Sequence, residues 1–248
     1  MPPGVQRFWG RRPRRPERLD RKAMARGGSG NLGMEAVLMR MYEKMSESFG
    51  PQHWWPAEGP LEMMAGAVLT QNTSWRNVEK AIEGLKSRRL IDAEALCRVP
   101  FEELAQVIRP AGYYNIKARR LKNLAEFIVQ RAAGDLHVLF GEETPALREA
   151  LLGIKGVGPE TADSILLYAA GRPVFVVDAY THRILGRHGL ISEEATYDET
   201  QSCFMDHLPQ DAALYNEFHA LIVRTAKTCC GKRPNCAGCP LDGWPAEE

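Results

Sequence analysis

Two glycines around a single valine lie in the stretch LLGIKGVGPETADS (151–164), between segments with helical patterning. Such a turn exposes backbone N–H groups without a bulky side chain in front of them, and beside a helix N-terminus it can bind a phosphate oxygen. Pro159 and Glu160 follow, and both residue types suit a first helical turn. The stretch predicts a grip on a nucleic acid backbone, with a plain left-handed turn between packed helices as the alternative. The residues of this candidate hairpin are Lys155, Gly156, Val157 and Gly158.

Asp178 follows the apolar run PVFVV (173–177) and precedes a helical segment that spans 179–187. Aspartate is a preferred N-cap, and a capping carboxylate is ionised and held in place. A fixed carboxylate also stabilises positive charge that develops during a reaction. Asp178 is therefore interpreted as a helix cap that could carry chemistry as well.

Four cysteines stand close together in the stretch TCCGKRPNCAGC (228–239). Four thiolates can hold an iron–sulfur cluster or a zinc ion, and a loop without metal is the third interpretation. Cys97 and Cys203 fall in helical segments and are interpreted as buried free thiols of a reducing compartment. The cysteines of the candidate metal loop are Cys229, Cys230, Cys236 and Cys239.

Three tryptophans are candidates for binding a flat or cationic ligand. Trp54 and Trp55 are adjacent in GPQHWWPAEGP (50–60), and Trp75 ends the stretch TQNTSW (70–75). Indole faces attract a cationic ring, by about 2 kcal/mol or more when both groups are desolvated. The structural alternative is that Trp54 packs in the core and Trp55 shields a surface.

The elements that must position these residues are helical by pattern. Beyond residue 34, apolar residues recur every three or four positions, as in the stripe Val37, Leu38, Met41, Met45 and Phe49. Only PVFVV resembles a strand, and one strand alone makes no sheet. The sequence therefore predicts an all-α protein with about ten helices.

Composition and charge exclude several classes of protein. Of 248 residues, 44% are apolar and 25% charged, which is typical of soluble globular proteins. No apolar run approaches the roughly 20 residues of a membrane span, and the start lacks an apolar signal-peptide core, so we expect a cytoplasmic protein with no membrane contact.

Positive charge is concentrated in residues 1–33, which hold nine Arg and Lys against Glu17 and Asp20, a net charge of +7. The remaining residues carry a net charge of −6. We expect this tail to be disordered, either as a nucleic-acid-binding arm or as an extension upstream of a true start at Met34. Because the body is mildly acidic, contact with DNA must come from a local patch.

These stretches occur in the order found in the helix–hairpin–helix DNA glycosylase superfamily, of which endonuclease III is a member. The hairpin with the following Asp178 resembles its core, GAVLTQNTSWRNVEKA (66–81) its early barrel helix and DNA wedge, and AGYYNIKARRL (111–121) its second turn. The likeness implies a two-lobed helical fold. A six-helix barrel would span 56–172, and 34–55 with 173–248 would form a second lobe that bears the cysteine loop.

The resemblance also implies an activity. A monomeric enzyme would flip a damaged base out of double-stranded DNA and cleave its N-glycosidic bond. Asp178 would be the catalytic aspartate, stabilising the positive charge that develops on the sugar. Bifunctional relatives carry a lysine after the hairpin that forms a Schiff base with the sugar. Glu160 stands there in this chain, which favours a monofunctional enzyme that uses water.

Three stretches, WWP, LTQNT followed by an aromatic residue, and GVGPETADSILLYA, resemble the 3-methyladenine DNA glycosylase III family. That resemblance implies an alkylated purine such as 3-methyladenine as substrate. Asn72, with Gln71, is the predicted wedge that fills the gap left by the flipped base. The alternatives are a glycosylase and lyase acting on oxidised pyrimidines, and a non-catalytic DNA-binding module on the same fold. The implied base pocket consists of Trp54, Trp55, Pro56 and Trp75.

The superfamily's 4Fe-4S loop has cysteines spaced C-x6-C-x2-C-x5-C. Cys229, Cys236 and Cys239 match the first three positions, but Pro245 stands at the fourth. Cys230 is the candidate for the missing fourth ligand, while zinc and a metal-free loop stay open.

Overall fold

The computed structural model describes residues 33–244. These residues form twelve α-helices and no β-strand, which confirms the predicted all-α class and exceeds the expected number of helices. None of these helices has the length and apolar content needed to cross a membrane. Residues 1–32 of the basic tail, and Pro245, lie outside the described residues. The helices are α1 (Met34–Phe49), α2 (Pro60–Leu69), α3 (Trp75–Ser87), α4 (Ala93–Arg98), α5 (Phe101–Val107), α6 (Tyr114–Ala132), α7 (Leu136–Phe140), α8 (Thr144–Leu152), α9 (Pro159–Ser164), α10 (Ala179–Arg187), α11 (Tyr197–Met205) and α12 (Ala212–Thr228).

The chain divides into two compact units. The first unit comprises the described residues up to Gln52, then Val177–Pro209, and the chain from Phe218 onward. The second unit comprises His53–Val176 and Gln210–Glu217. The hairpin, the predicted wedge and the tryptophans belong to the second unit, whereas Asp178 and the cysteine loop belong to the first.

The longest helix of the second unit, α6, buries both an apolar stripe and a lysine. Leu121, Leu124 and Ile128 are fully or almost fully buried, as their spacing predicts. Lys117 is 1% exposed, and its Nζ donates to the carbonyls of Leu69 at 2.8 Å and Ala111 at 2.7 Å. Burial, and secondarily the charge of the nearby Arg120, lower the pKa of Lys117 to about 8. Lys117 thus ties the end of α2, just before the predicted wedge, to the turn that precedes α6.

The strand-like run PVFVV is a buried connection that leads into α10. Val174, Phe175, Val176 and Val177 are at most 5% exposed, and none of them belongs to a strand. The ring of Phe175 packs edge-on against Tyr215 at 5.5 Å. The apolar composition of this run therefore reflects burial and not sheet formation.

The first unit has an aromatic core around α12. Phe218 packs edge-on against Phe204 at 5.3 Å and against Tyr42 at 5.5 Å. Such offset aromatic pairs stabilise a core beyond the area they bury. They fix the part of α12 that carries His219, the residue after Phe218.

Candidate active site

The predicted hairpin lies between α8 and α9. Leu152 ends α8, and Pro159 begins α9 with Gly158 as its N-cap. The guanidinium of Arg148 on α8 donates to both carboxylate oxygens of Asp163 on α9, at 2.7 and 3.0 Å. This bidentate pair, with a fully buried carboxylate, holds the two helices at the hairpin.

The tip of the hairpin requires glycine at position 156. Gly156 has a φ of +103°, and a Cβ built there would lie 2.4 Å from Cγ of Arg120. The Val157 N–H donates to the carbonyl of Ile154 at 3.0 Å, so this group closes the turn. Lys155 is exposed beside it. The sequence predicts that the Val157 N–H binds phosphate, but in the structure this group already donates a hydrogen bond within the hairpin.

Glu160 is the second residue of α9 and is half-buried. Its backbone carbonyl accepts a hydrogen bond from the Ser164 hydroxyl at 2.7 Å. A carboxylate suits this end of a helix because the helix dipole is positive there. At this position the chain offers a carboxylate and no amine.

The predicted wedge residues differ in their surroundings. The Gln71 amide donates to Thr161 Oγ1 at 2.9 Å and to the Gly156 carbonyl at 3.3 Å, while its Oε1 accepts from Arg120. Asn72 is exposed and has a φ of +56°. The structure thus ties Gln71 to the hairpin and leaves the side chain of Asn72 at the surface.

Asp178 is the N-cap of α10, as its position predicted. Its Oδ1 accepts from the backbone N–H of Thr181 at 2.7 Å and from the Thr181 hydroxyl at 2.9 Å. Its Oδ2 lies 3.7 Å from Nε2 of His219 on α12. Burial by itself raises the pKa of Asp178, but His219 and the Thr181 donors outweigh burial and hold that pKa below its usual value. The carboxylate is therefore ionised, oriented and only 14% exposed.

The tryptophans form one aromatic cluster with Tyr168, which the sequence analysis missed. Ring centroids lie 5.0 Å apart for Trp55 and Trp75, 5.7 Å for Trp54 and Trp55, and 6.2 Å for Trp54 and Trp75. Tyr168 lies 5.4 Å from Trp55. Gly66 lies beneath Trp55, since a Cβ there would approach the indole to 3.2 Å. The structure therefore brings the predicted indoles together.

A pocket of about 180 Å³ adjoins this cluster, with aromatic and acidic walls. Glu62 is almost buried and pairs with Lys86 at 2.9 Å. Glu79 and Glu83 are exposed. Aromatic faces beside carboxylates suit a flat cationic ring. The lining residues are Trp55, Pro56, Glu62, Gly66, Trp75, Glu79, Ile82, Glu83 and Lys86.

The cysteine loop follows α12 directly. The N–H groups of Cys229 and Cys230 both donate to the carbonyl of Thr225, at 2.9 and 3.0 Å. All four cysteines line one cavity of about 290 Å³. Burial raises the pKa of Cys239 to about 11, and the nearby thiols of Cys229 and Cys230 add to the rise. The loop therefore gathers thiols around a single space.

The sulfur donors of this loop are of the type that holds either an iron–sulfur cluster or a structural zinc ion. Within residues 33–244, no three Cys, His, Asp or Glu side chains lie close enough together to hold one metal ion. Zinc would need its sulfurs about 3.8 Å apart, since each lies about 2.3 Å from one centre. An iron–sulfur cluster would bind one cysteine at each iron, and the four cysteines that border this cavity are the residues that would hold it.

Two further residues, His219 and Tyr113, were not predicted from the sequence. His219 is adjacent to Asp178 only through the packing of α12, and no local pattern indicates that proximity. Tyr113, inside the stretch that resembles the second turn, is 48% exposed with a φ of +46°.

Comparison with known proteins decides the family. The family model described as HhH-GPD superfamily base excision DNA repair protein matches residues 65–210, more than half of the chain. This chain belongs to the HhH-GPD superfamily. The HhH-GPD protein is 47% identical over 206 residues to a Methanocaldococcus jannaschii protein named as a DNA repair glycosylase, covering 83% of this chain and 94% of the relative.

Solved structures agree with this assignment. H. pylori 3-methyladenine DNA glycosylase (MagIII), bound to 1,N6-ethenoadenine, matches this HhH-GPD protein with a TM-score of 0.65 and 32% identity, over 79% of this chain and 98% of its own. Endonuclease III trapped on DNA matches in fold, with a TM-score of 0.72 and 24% identity, over 85% and 94% of the two chains. The predicted superfamily and enzyme class are confirmed: the chain is an endonuclease III-like DNA glycosylase.

Proposed function

We propose that this protein is a monofunctional DNA glycosylase that releases an alkylated purine, such as 3-methyladenine, from double-stranded DNA. The observation that carries the proposal is Glu160, a carboxylate in the first turn after the hairpin. A glycosylase with lyase activity needs an amine to form a Schiff base with the sugar. A carboxylate cannot form one, so water is the nucleophile.

Asp178 is the proposed catalytic residue. Water forms a bond to the sugar carbon C1′ while the bond from C1′ to the base breaks. The electron pair of that bond leaves with the base, and the proton of the water passes to solvent. Positive charge develops on the sugar, and the fixed, ionised carboxylate of Asp178 stabilises it. A cationic purine leaves as a neutral base, so no strong general acid is required.

The aromatic cluster is the proposed base-binding surface. Trp54, Trp55, Pro56 and Trp75 supply apolar and aromatic faces, and Tyr168 extends them. The pocket lining carries three carboxylates, Glu62, Glu79 and Glu83, against the single cation Lys86, and this excess of negative charge favours a positively charged ring over a neutral one. Support comes from the H. pylori relative, whose name and bound ligand are those of a glycosylase for modified adenine.

DNA contact is proposed at the hairpin and the adjoining loop. Lys155 and the glycines Gly156 and Gly158 would hold a backbone phosphate, whereas the Val157 N–H closes the turn. Asn72 is the better candidate for filling the gap left by the flipped base, because Gln71 is bonded to the hairpin.

The cysteine loop is proposed to hold a 4Fe-4S cluster with Cys229, Cys236 and Cys239 among its ligands. When bound, the cluster would fix the loop and orient Lys232 and Arg233, both exposed, toward phosphate. No step of base release passes through it.

The reaction is tested with duplexes that carry 3-methyladenine, 1,N6-ethenoadenine, thymine glycol or mismatched uracil. We expect methylated purine to be released fastest, strand breaks to appear only after hot alkali, and borohydride to trap no protein–DNA adduct. An efficient adduct would establish the lyase alternative. Excision of thymine glycol at an equal rate would show that the aromatic pocket does not select for charge.

A gain-of-function variant tests the role of position 160. Glu160→Lys supplies an amine, and we expect borohydride to trap an adduct with this variant on the same substrate. Glu160→Gln is the matched control, because it removes the charge without supplying an amine, and it should trap nothing. A Lys variant that excises the base but forms no adduct would show that position 160 does not reach the sugar.

Stacking is tested at Trp75. Trp75→Ala removes one face and should lower the excision rate of 3-methyladenine by about 5- to 150-fold, since base–aromatic stacking contributes about 1–3 kcal/mol. Trp75→Phe keeps an aromatic face and should retain most of the rate. Equal excision rates for the two variants would indicate that the tryptophans pack within the protein and do not stack on the base.

A further inference from the structure

We propose that Cys230 supplies the fourth thiolate of an iron–sulfur cluster in the cysteine loop, in place of the cysteine that is absent at position 245. The proposal goes beyond base excision. The spacing of the cysteines supplies only three of the four thiolates that a cluster needs, and the proposal names the residue that supplies the fourth. It rests on the cavity after α12 and on the contacts of Cys230.

The first argument is position. Cys230 is 8% exposed and lines the same cavity of about 290 Å³ as the three cysteines that match the expected spacing. Adjacent residues usually point apart, yet here Cys229 and Cys230 both border that space. The chain turns at this point, because both N–H groups bond to Thr225 and residue 230 then pairs with Pro234.

The second argument is the set of hydrogen bonds that hold Cys230. Arg187 Nη1 donates to Cys230 Sγ at 3.0 Å. The same guanidinium donates to the carbonyls of Gly231 at 2.8 Å and Lys232 at 3.0 Å, while Arg183 Nε donates to the carbonyl of Cys230 at 2.8 Å. Two arginines on α10 thus hold Cys230 in place.

A rival ligand is present on the same cavity wall. His188 Nδ1 lies 2.6 Å from the carbonyl of Trp244, which can only accept, so Nδ1 donates to it and Nε2 is the nitrogen left to bind a metal. An imidazole oriented in this way is suited to bind metal. Cys230 is favoured because iron–sulfur clusters are held mainly by cysteine sulfur, and Cys230 borders the cavity together with the three cysteines that match the spacing.

The test is the metal content of the full-length chain after reconstitution with ferrous iron and sulfide under reducing, oxygen-free conditions. We expect about four iron and four sulfide per wild-type chain, with a broad visible absorbance. Cys230→Ala should lose the absorbance or retain about three iron per chain. Cys97→Ala, a half-buried cysteine outside the cavity, and His188→Asn, which keeps an N–H donor toward Trp244, should both match wild type.

Rescue separates ligand loss from damage to the loop. Adding Pro245→Cys to Cys230→Ala restores a thiol at the position that the spacing expects, and it should restore iron and absorbance. The proposal is overturned if Cys230→Ala keeps the full cluster, if His188→Asn loses it instead, if Pro245→Cys fails to restore iron to a folded variant, or if the wild-type chain takes up zinc but no cluster. Helix content by circular dichroism establishes that each variant is folded.

Discussion

At the scale of single residues, the proposed chemistry depends on carboxylates whose surroundings differ. Asp178 accepts hydrogen bonds from Thr181 and faces His219, so it stays ionised although little of it is exposed. Glu160 lies in a first helical turn, where the dipole favours a negative charge. The carboxylate of Asp178 can therefore stabilise a cationic sugar. The carboxylate of Glu160 stands where a lyase would have an amine.

Replacing Asp178 with asparagine should separate catalysis from capping. Asparagine caps a helix about as well as aspartate, but it cannot stabilise positive charge on the sugar. We expect the single-turnover excision rate to fall by roughly 100- to 1,000-fold, with DNA affinity and thermal unfolding close to wild type. Asp135→Asn, at the N-cap of α7, is the matched control and should leave the rate unchanged. If Asp178→Asn lowers stability and binding in parallel with the rate, the residue is mainly structural.

Lys117 should make stability depend on pH above neutrality. The pKa of Lys117 is about 8 in the folded protein, whereas the pKa of an exposed lysine is 10.5. Between these values the unfolded chain holds a proton that the folded chain has lost, so the free energy of unfolding rises with pH.

The size of this effect is measured against Lys117→Met by urea unfolding from pH 7.5 to 10. We expect the stability of wild type relative to the variant to increase by about 2–3 kcal/mol over that range. Lys80→Met changes an exposed position on α3, and the free energy of unfolding of this variant should depend on pH in the same way as that of wild type. A constant difference between wild type and Lys117→Met would mean that the buried amine does not titrate there.

At the scale of elements, the hairpin is a rigid corner that several side chains brace. Arg148 and Asp163 join α8 to α9, and Gln71 reaches the hairpin from the loop after α2. Lys117 secures the start of that same loop. The hairpin and the loop that carries the proposed wedge are thus parts of one braced structure within the second unit.

The two glycines of the hairpin offer a matched pair of variants. Gly156→Ala places a Cβ 2.4 Å from Arg120 in a backbone region that suits glycine, so we expect a loss of about 1–3 kcal/mol in stability and weaker DNA binding. Gly158→Ala meets nothing within 4 Å and has a φ of −103°, so its stability should stay near wild type. Urea unfolding and binding to a lesion duplex measure both effects. Equal losses for the two variants would show that the φ of Gly156 is not the constraint.

At the scale of the whole molecule, charge is divided between a basic tail and an acidic body. Residues 1–33 carry +7 and the remainder −6, so the long-range field of the body does not attract DNA. Binding of DNA by the body must therefore depend on a local patch, and the hairpin with its neighbours is the proposed one.

Deleting residues 1–33 should change DNA affinity without changing catalysis. The tail brings nine basic residues, and each phosphate they neutralise adds about −0.9 to the slope of log affinity against log salt. We expect the truncated chain to bind DNA more weakly at low salt and with a shallower slope. Its excision rate at saturating enzyme and its unfolding temperature should match the full chain. An unchanged slope would mean that the tail makes no contact with DNA.

The sequence by itself determined the features that depend on near neighbours along the chain. Helical periodicity, the glycine hairpin and the cap at Asp178 arise from interactions within a few residues, and the structure has each of them. The strand-like run 173–177 shows the limit of such reasoning, because an apolar run predicts burial but does not specify what covers it.

Tertiary structure alone decided which distant side chains meet. Gln71 bonds to groups 85 and 90 residues away, Tyr168 packs on Trp55, and His219 faces Asp178. Likewise, the contact of Arg187 with Cys230 appears only once α10 and the cysteine loop are folded together. The physical reason is that periodicity specifies which face of a helix is buried, whereas the partner of each buried side chain depends on how the helices pack.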